Sequence, residues 1–113
     1  MNKREIEFRE KVGSRRTVSI TLTDSTNTAL DMTSTTTYNT GKWKVWKPDG
    51  TLIIDGTITF SDRANGKVTY TLSESDTASS NAGVWTGEVE IKDTSGTISE
   101  QTQSFNFIIE ESY

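Results

Sequence analysis

Along much of this chain apolar and polar residues alternate one by one. In "RTVSITLTD", Val18, Ile20 and Leu22 fall on one side and Thr17, Ser19, Thr21 and Thr23 on the other. That is the period-two pattern of a strand with one buried face. The same period runs through "EIEFREKV" (Glu5 to Val12) and through "KWKVWK", where Trp43 and Val45 share a face opposite Lys42, Lys44 and Trp46. It returns in "KVTYTL" with Val68, Tyr70 and Leu72, in "VWTGEVEIKD" with Trp85, Gly87, Val89 and Ile91, and in "SFNFIIEE" with Phe105, Phe107 and Ile109.

Turn chemistry separates these runs. In "KPDG", Pro48 suits the first turn position, the Asp49 carboxylate can bond nearby backbone, and Gly50 is free to take positive φ. Asn65-Gly66 is a strong hairpin signal, and "DTSGT" turns at Gly96. Between Asp24 and Gly41 the chain is polar and rich in hydroxyls, with only Leu30 and Met32 able to anchor it, so a crossing between two sheets is expected there. One short helical turn is expected near residues 75–80, where Ser73 or Ser75 can cap and Asp76 suits a first turn. Together these signals predict an all-β fold, an immunoglobulin-like β-sandwich of about seven antiparallel strands. A single domain is expected over 1–113, with 1–12 as a basic first strand or arm.

Composition agrees with strands. Thr and Ser occupy 20 and 13 of the 113 positions, which favours half-exposed pleated strands over helix. There is no cysteine and no histidine. Disulfides, thiolate metal sites, a cysteine nucleophile and the commonest general base are thereby excluded. The start, "MNKREIEFREKVG", has no apolar signal core, so the expectation is a soluble chain made in the cytosol without a cleaved leader.

The net charge of -4 is unevenly spread, because Lys3, Arg4, Arg9, Lys11, Arg15 and Arg16 outnumber Glu5, Glu7 and Glu10 at the start. A basic first segment on an acidic body can meet an acidic surface, although its alternation with Ile6 and Phe8 also suits the solvated face of an ordinary strand. Glu88 and Glu90 share a strand face as paired carboxylates do, but such a face offers no water-excluding pocket, and no catalytic residue is assigned. The oxygens around Asp62 and Asp93 are too few and too irregular for a calcium loop, so neither metal nor cofactor is expected.

Two tryptophans among three lysines invite a reading as a nucleic-acid platform. Strand parity splits them, and the acidic body repels phosphate, so neither nucleic acid nor membrane is an expected partner. Trp43 and Trp85 belong to the core by their parity, whereas Trp46 faces outward beside Lys42 and Lys44. An outward tryptophan serves a protein interface or a sugar ring, and Tyr38 and Tyr113 are further sugar-stacking candidates.

The order "FREKVGSRRTVSITLTD", "LDMT", "WKVWKPDGTLI", "NGKVTYTL", "SDTASSNAGVWTGEVEIKD" and "SGTISEQTQSFNFII" resembles the immunoglobulin-like domain at the N-terminus of phage baseplate upper proteins. Related domains occur in other phage tail, fibre and head structural proteins. The resemblance spans about residues 6–110 and implies a non-enzymatic bacteriophage structural protein of the virion, made in the host cytoplasm. Its expected partners are other phage structural proteins in the baseplate, the tail or a capsid decoration. Its expected state is a homo-oligomer or multi-copy array. The alternative is a carbohydrate-binding or adhesin-type module with a host glycan as ligand. The candidate partner-binding residues are Arg4, Ile6, Phe8, Arg9, Lys42, Lys44 and Trp46.

Overall fold

A computed structural model describes residues 7–102 and 104–111. Its strands are β1 (Glu7–Lys11), β2 (Thr17–Thr21), β3 (Thr40–Trp46), β4 (Leu52–Thr57), β5 (Thr59–Asp62), β6 (Lys67–Thr71), β7 (Gly83–Lys92), β8 (Ile98–Gln101) and β9 (Phe105–Glu110). One sheet has the order β1-β9-β7-β3-β4, with β8 also paired to β7; the other has the order β2-β6-β5. The two pack as a sandwich. Val18, Ile20, Leu22, Val68 and Leu72 of the small sheet and its flanks are buried, as are Trp43, Val45, Ile54, Val89, Ile91, Phe105, Phe107 and Ile109 of the large one.

The all-β sandwich is the expected architecture, with nine strands among the described residues in place of about seven. The run from Leu52 to Phe60 is two strands because the chain changes sheets at Ile58, whose amide donates to Gly41 O at 3.1 Å. β8, "ISEQ", has only Ile98 as an apolar residue, which left it without a sequence signal. Among the described strands one pairing is parallel: β1 runs alongside β9, with Glu7 opposite Asn106 and Lys11 opposite Glu110. The connection from β2 to β3 crosses between sheets, fixed by fully buried Met32, half-buried Leu30 and the Arg63 guanidinium, which donates to Met32 O and Tyr38 O.

Three of the reversals share one geometry. Asp24 N bonds Thr28 O, Asp93 N bonds Thr97 O and Lys47 N bonds Thr51 O, with positive φ at the fourth residue, Asn27, Gly96 and Gly50 respectively. In the first two, the leading carboxylate accepts from the amide and hydroxyl of the residue two on and from the amide four on. These bonds hold the Asp24 and Asp93 carboxyls below the usual carboxylate range, the largest cause being the hydroxyls of Thr26 and Ser95. Asp93 is thus occupied in shaping a turn. The helical segment expected near 75–80 is a turn over 74–77 followed by a single 3-10 turn, Ser79–Asn81.

The first segment differs most from a free arm. Phe8 points inward, its ring edge-on to Trp43 at 5.1 Å and 70° and edge-on to Phe105 at 5.1 Å and 78°. Glu10 follows it inward and is 5% exposed. There it accepts from Ser14 Oγ and from Nε and Nη2 of Arg16, the last at 2.5 Å. This buried carboxylate explains how a charge-rich strand joins a core: its one inward acid is met by the first arginine positioned to return to it. Val12 N to Glu110 O and Gly13 N to Thr77 O extend the attachment beyond the strand.

Candidate docking surface

The outer face of the large sheet is assembled by the same parity that builds the core. β3 lies between β4 and β7, so Lys42, Lys44 and Trp46 each have a neighbour on both sides. Lys44 stands opposite Asp55 and Glu88, and Trp46 opposite Leu52 and Thr86. On β7, Val84 lies one step diagonal to Trp46 on the same face, and Val84 pairs with Ile108 of β9, which pairs with Arg9 of β1. An apolar band of Leu52, Trp46, Val84 and Ile108 therefore crosses one end of the face and terminates at Arg9.

The band is partly open to solvent. Val84 is 61% exposed and Leu52 is 41% exposed, whereas Trp46 is half-buried and Ile108 is covered. The other end of the face is polar and internally matched. Lys44 Nζ lies 3.2 Å from Glu90, and Gln101 Nε2 donates to Glu88 at 2.7 Å and to Glu90 at 3.3 Å. Ser104 Oγ also donates to Glu88. Lys42 Nζ reaches Asp55 at 4.0 Å. Glu88 and Glu90 do lie on one face, and their oxygens are engaged by neighbours on β3, β8 and Ser104.

Of the residues singled out from the sequence, Lys42, Lys44, Trp46 and Arg9 share this face. Arg9 is exposed and bridges Glu7 at 2.7 Å and Glu110 at 3.6 Å. Phe8 is instead turned into the core, because a five-residue strand puts Arg9 and Phe8 on opposite sides. Arg4 and Ile6 lie outside the described residues, as does Tyr113. Tyr38, a candidate for sugar stacking, packs against the core from the long connection.

Leu52, Val84 and Ile108 are not among the residues that the sequence singles out, although two of them leave a mark in the pattern. Val84 and Ile108 each sit directly beside an inward residue, in "GVW" and "FII", and so are out of phase with their strand's core face, whereas Leu52 has the parity of inward Ile54 and is turned outward only by the register shift that skips Ile53. Trp85, by contrast, is inward and half-buried; its Nε1 donates to Asn81 O at 2.7 Å, and Lys47 Nζ lies over its ring.

Among solved structures, the N-terminal domain of phage TP901-1 ORF48 matches with a TM-score of 0.69 at 11% identity, over 96% of this chain and 90% of that one. CopC from Methylosinus trichosporium OB3b matches with a TM-score of 0.51 at 10% identity, over 94% and 87%. At such identities the likeness concerns the fold alone. No curated protein sequence matches the chain. The sequence model of the BppU N-terminal domain, however, matches residues 1–113. The chain accordingly belongs to the BppU N-terminal domain family, that of the phage baseplate upper protein, and is a structural part of the virion.

Proposed function

We propose that this domain is a docking module of the baseplate, held in many copies against other virion proteins and without catalytic work of its own. The observation that carries the reading is the apolar band on the outer face, where Val84 and Leu52 stand open to solvent beside Trp46. Elsewhere the outward positions of β3 and β7 are Lys, Glu and Thr. Large apolar side chains gathered on a polar face mark interaction sites, and an aromatic at the centre is the usual anchor of such a contact. Arg9, Lys42 and Lys44 form the polar rim, where charges orient a partner more than they tighten its hold.

Val84→Asp is the direct test, because a residue this exposed can take a charge without entering the core. The expected result is an unchanged melting temperature and a reduced number of copies per purified particle, counted by quantitative mass spectrometry. Wild-type incorporation of the variant contradicts the docking face. A glycan array probed with the purified protein addresses the carbohydrate reading: binding lost in Trp46→Ala, together with normal incorporation, transfers the face to a sugar ligand.

A further inference from the structure

Resting on the docking reading above, we infer that β4 is a strand-addition site. An extended segment of a neighbouring virion protein, with a Lys or Arg set opposite Asp55, pairs along its outer edge.

β4 ends the order β1-β9-β7-β3-β4, and no described strand pairs with its other side. The bond from Ile58 N to Gly41 O fixes which residues of β4 point toward β3. In an antiparallel ladder bonded and unbonded pairs alternate, so Trp43 with Gly56 and Val45 with Ile54 are the bonded pairs in the observed register. Asp55 and Thr57 therefore turn their N–H and C=O groups away from β3. Both residues are exposed, and no described group bonds their backbone. An arriving strand finds there two donors and two acceptors at strand spacing.

The other edges are less receptive. β1 carries Glu7, Arg9 and Lys11 on its outward side, and charges of this kind blunt an edge. β5 and β8 are four residues long against six for β4, and their registers shift within that short span, whereas the shift of β4 lies at its Leu52 end, away from Asp55 and Thr57. β2 is regular, but its outward side chains, Thr17, Ser19 and Thr21, give a visiting strand nothing apolar to pack on. β4 alone places open amides beside the exposed Leu52 and the Trp46 band.

Charge decides between a second copy and a different chain. Antiparallel pairing of β4 with its own copy sets Asp55 opposite or diagonal to Asp55, and like charges at those positions oppose pairing. Lys42 reaches Asp55 only at 4.0 Å, which leaves the carboxylate able to take a closer cation. A strand from another protein with a basic residue at that position satisfies both the amides and the acid.

Hydrogen exchange with residue-resolved fragmentation, measured on the isolated protein and on purified particles, tests the inference. The amides of Asp55 and Thr57 are expected to exchange about tenfold more slowly or better in the particle, while those of Ile54 and Gly56, already bonded to β3, change little. Equal rates for Asp55 and Thr57 in both samples overturn strand addition. If the band at Val84 slows in that case, docking by the outer face stands; if no segment slows, the docking reading fails with it. Thr57→Pro supplies a second readout, since it removes an outward N–H and no internal bond. Fewer copies per particle at an unchanged melting temperature support the site, and wild-type incorporation overturns it.

Discussion

Tyr70 donates its hydroxyl proton to Asp76 Oδ2 across 2.5 Å, tying a core strand of the small sheet to the loop that leads into β7. The same carboxylate accepts from Ser73 N, so one acid closes this end of the sandwich. Burial, and then the Asp76 carboxylate, raises the Tyr70 pKa above its ordinary value. A phenol whose pKa is raised on folding contributes stability that is complete below the unfolded value near 10 and is lost as pH rises beyond it. Chemical denaturation from pH 8 to 11 should therefore show stability falling above about pH 10. Tyr70→Phe should lower stability at pH 7 by about 1 kcal/mol and flatten that alkaline decline.

Gly56 owes its identity to the same ring. A methyl group added there would lie well inside contact distance of Tyr70 Cε1, Cζ and Oη. The ring cannot yield easily, because it stacks on Trp43 at 5.9 Å and 15° while its hydroxyl is held by Asp76. Gly56→Ala is expected to cost about 2 kcal/mol or more, and a double-mutant cycle with Tyr70→Ala should show the two changes to be strongly coupled.

The twin turns give a signature in acid. Asp24 and Asp93 have lowered pKa values, as do Asp31 and Asp49 through the hydroxyls and amides of Thr33 and Thr51. Depressed carboxylates contribute stability that is present above the unfolded value and is lost as pH falls through the folded one. Thermal melts should decline below about pH 4, and Asp24→Ala with Asp93→Ala should make that decline shallower while lowering the melting temperature at pH 7.

β1 should behave as part of the fold. Phe8→Ala is expected to lower stability by about 2 to 3 kcal/mol, less than a fully enclosed phenylalanine because its side chain is half-buried. Arg16→Met leaves the buried Glu10 carboxylate without its cation and should destabilise more than Arg15→Met, whose partner Glu74 is 64% exposed. Equal melting temperatures for the two arginine variants would contradict the role given to Glu10.

Much of this architecture could be read in advance because its signals are local. Strand parity placed Trp43 and Val45 inside and Trp46 outside, and Pro48 to Gly50 and Asn65-Gly66 marked reversals that the backbone makes. What escaped is non-local. Nothing within "EFREK" states that β9 will lie parallel to it, or that an exposed Arg16 will reach back to the buried Glu10. The candidate site was half legible for a related reason. Trp46 and its lysines follow from one strand, whereas the band joining Leu52, Trp46, Val84 and Ile108 exists only after registers across four strands are set.

The most direct test is the structure of the whole particle by electron cryo-microscopy, with the domain located and its neighbours traced. The expected result is this protein in the baseplate, with Val84, Trp46 and Leu52 covered by another virion protein. A domain found there with that face open to solvent, or particles that lack the protein altogether, would contradict it.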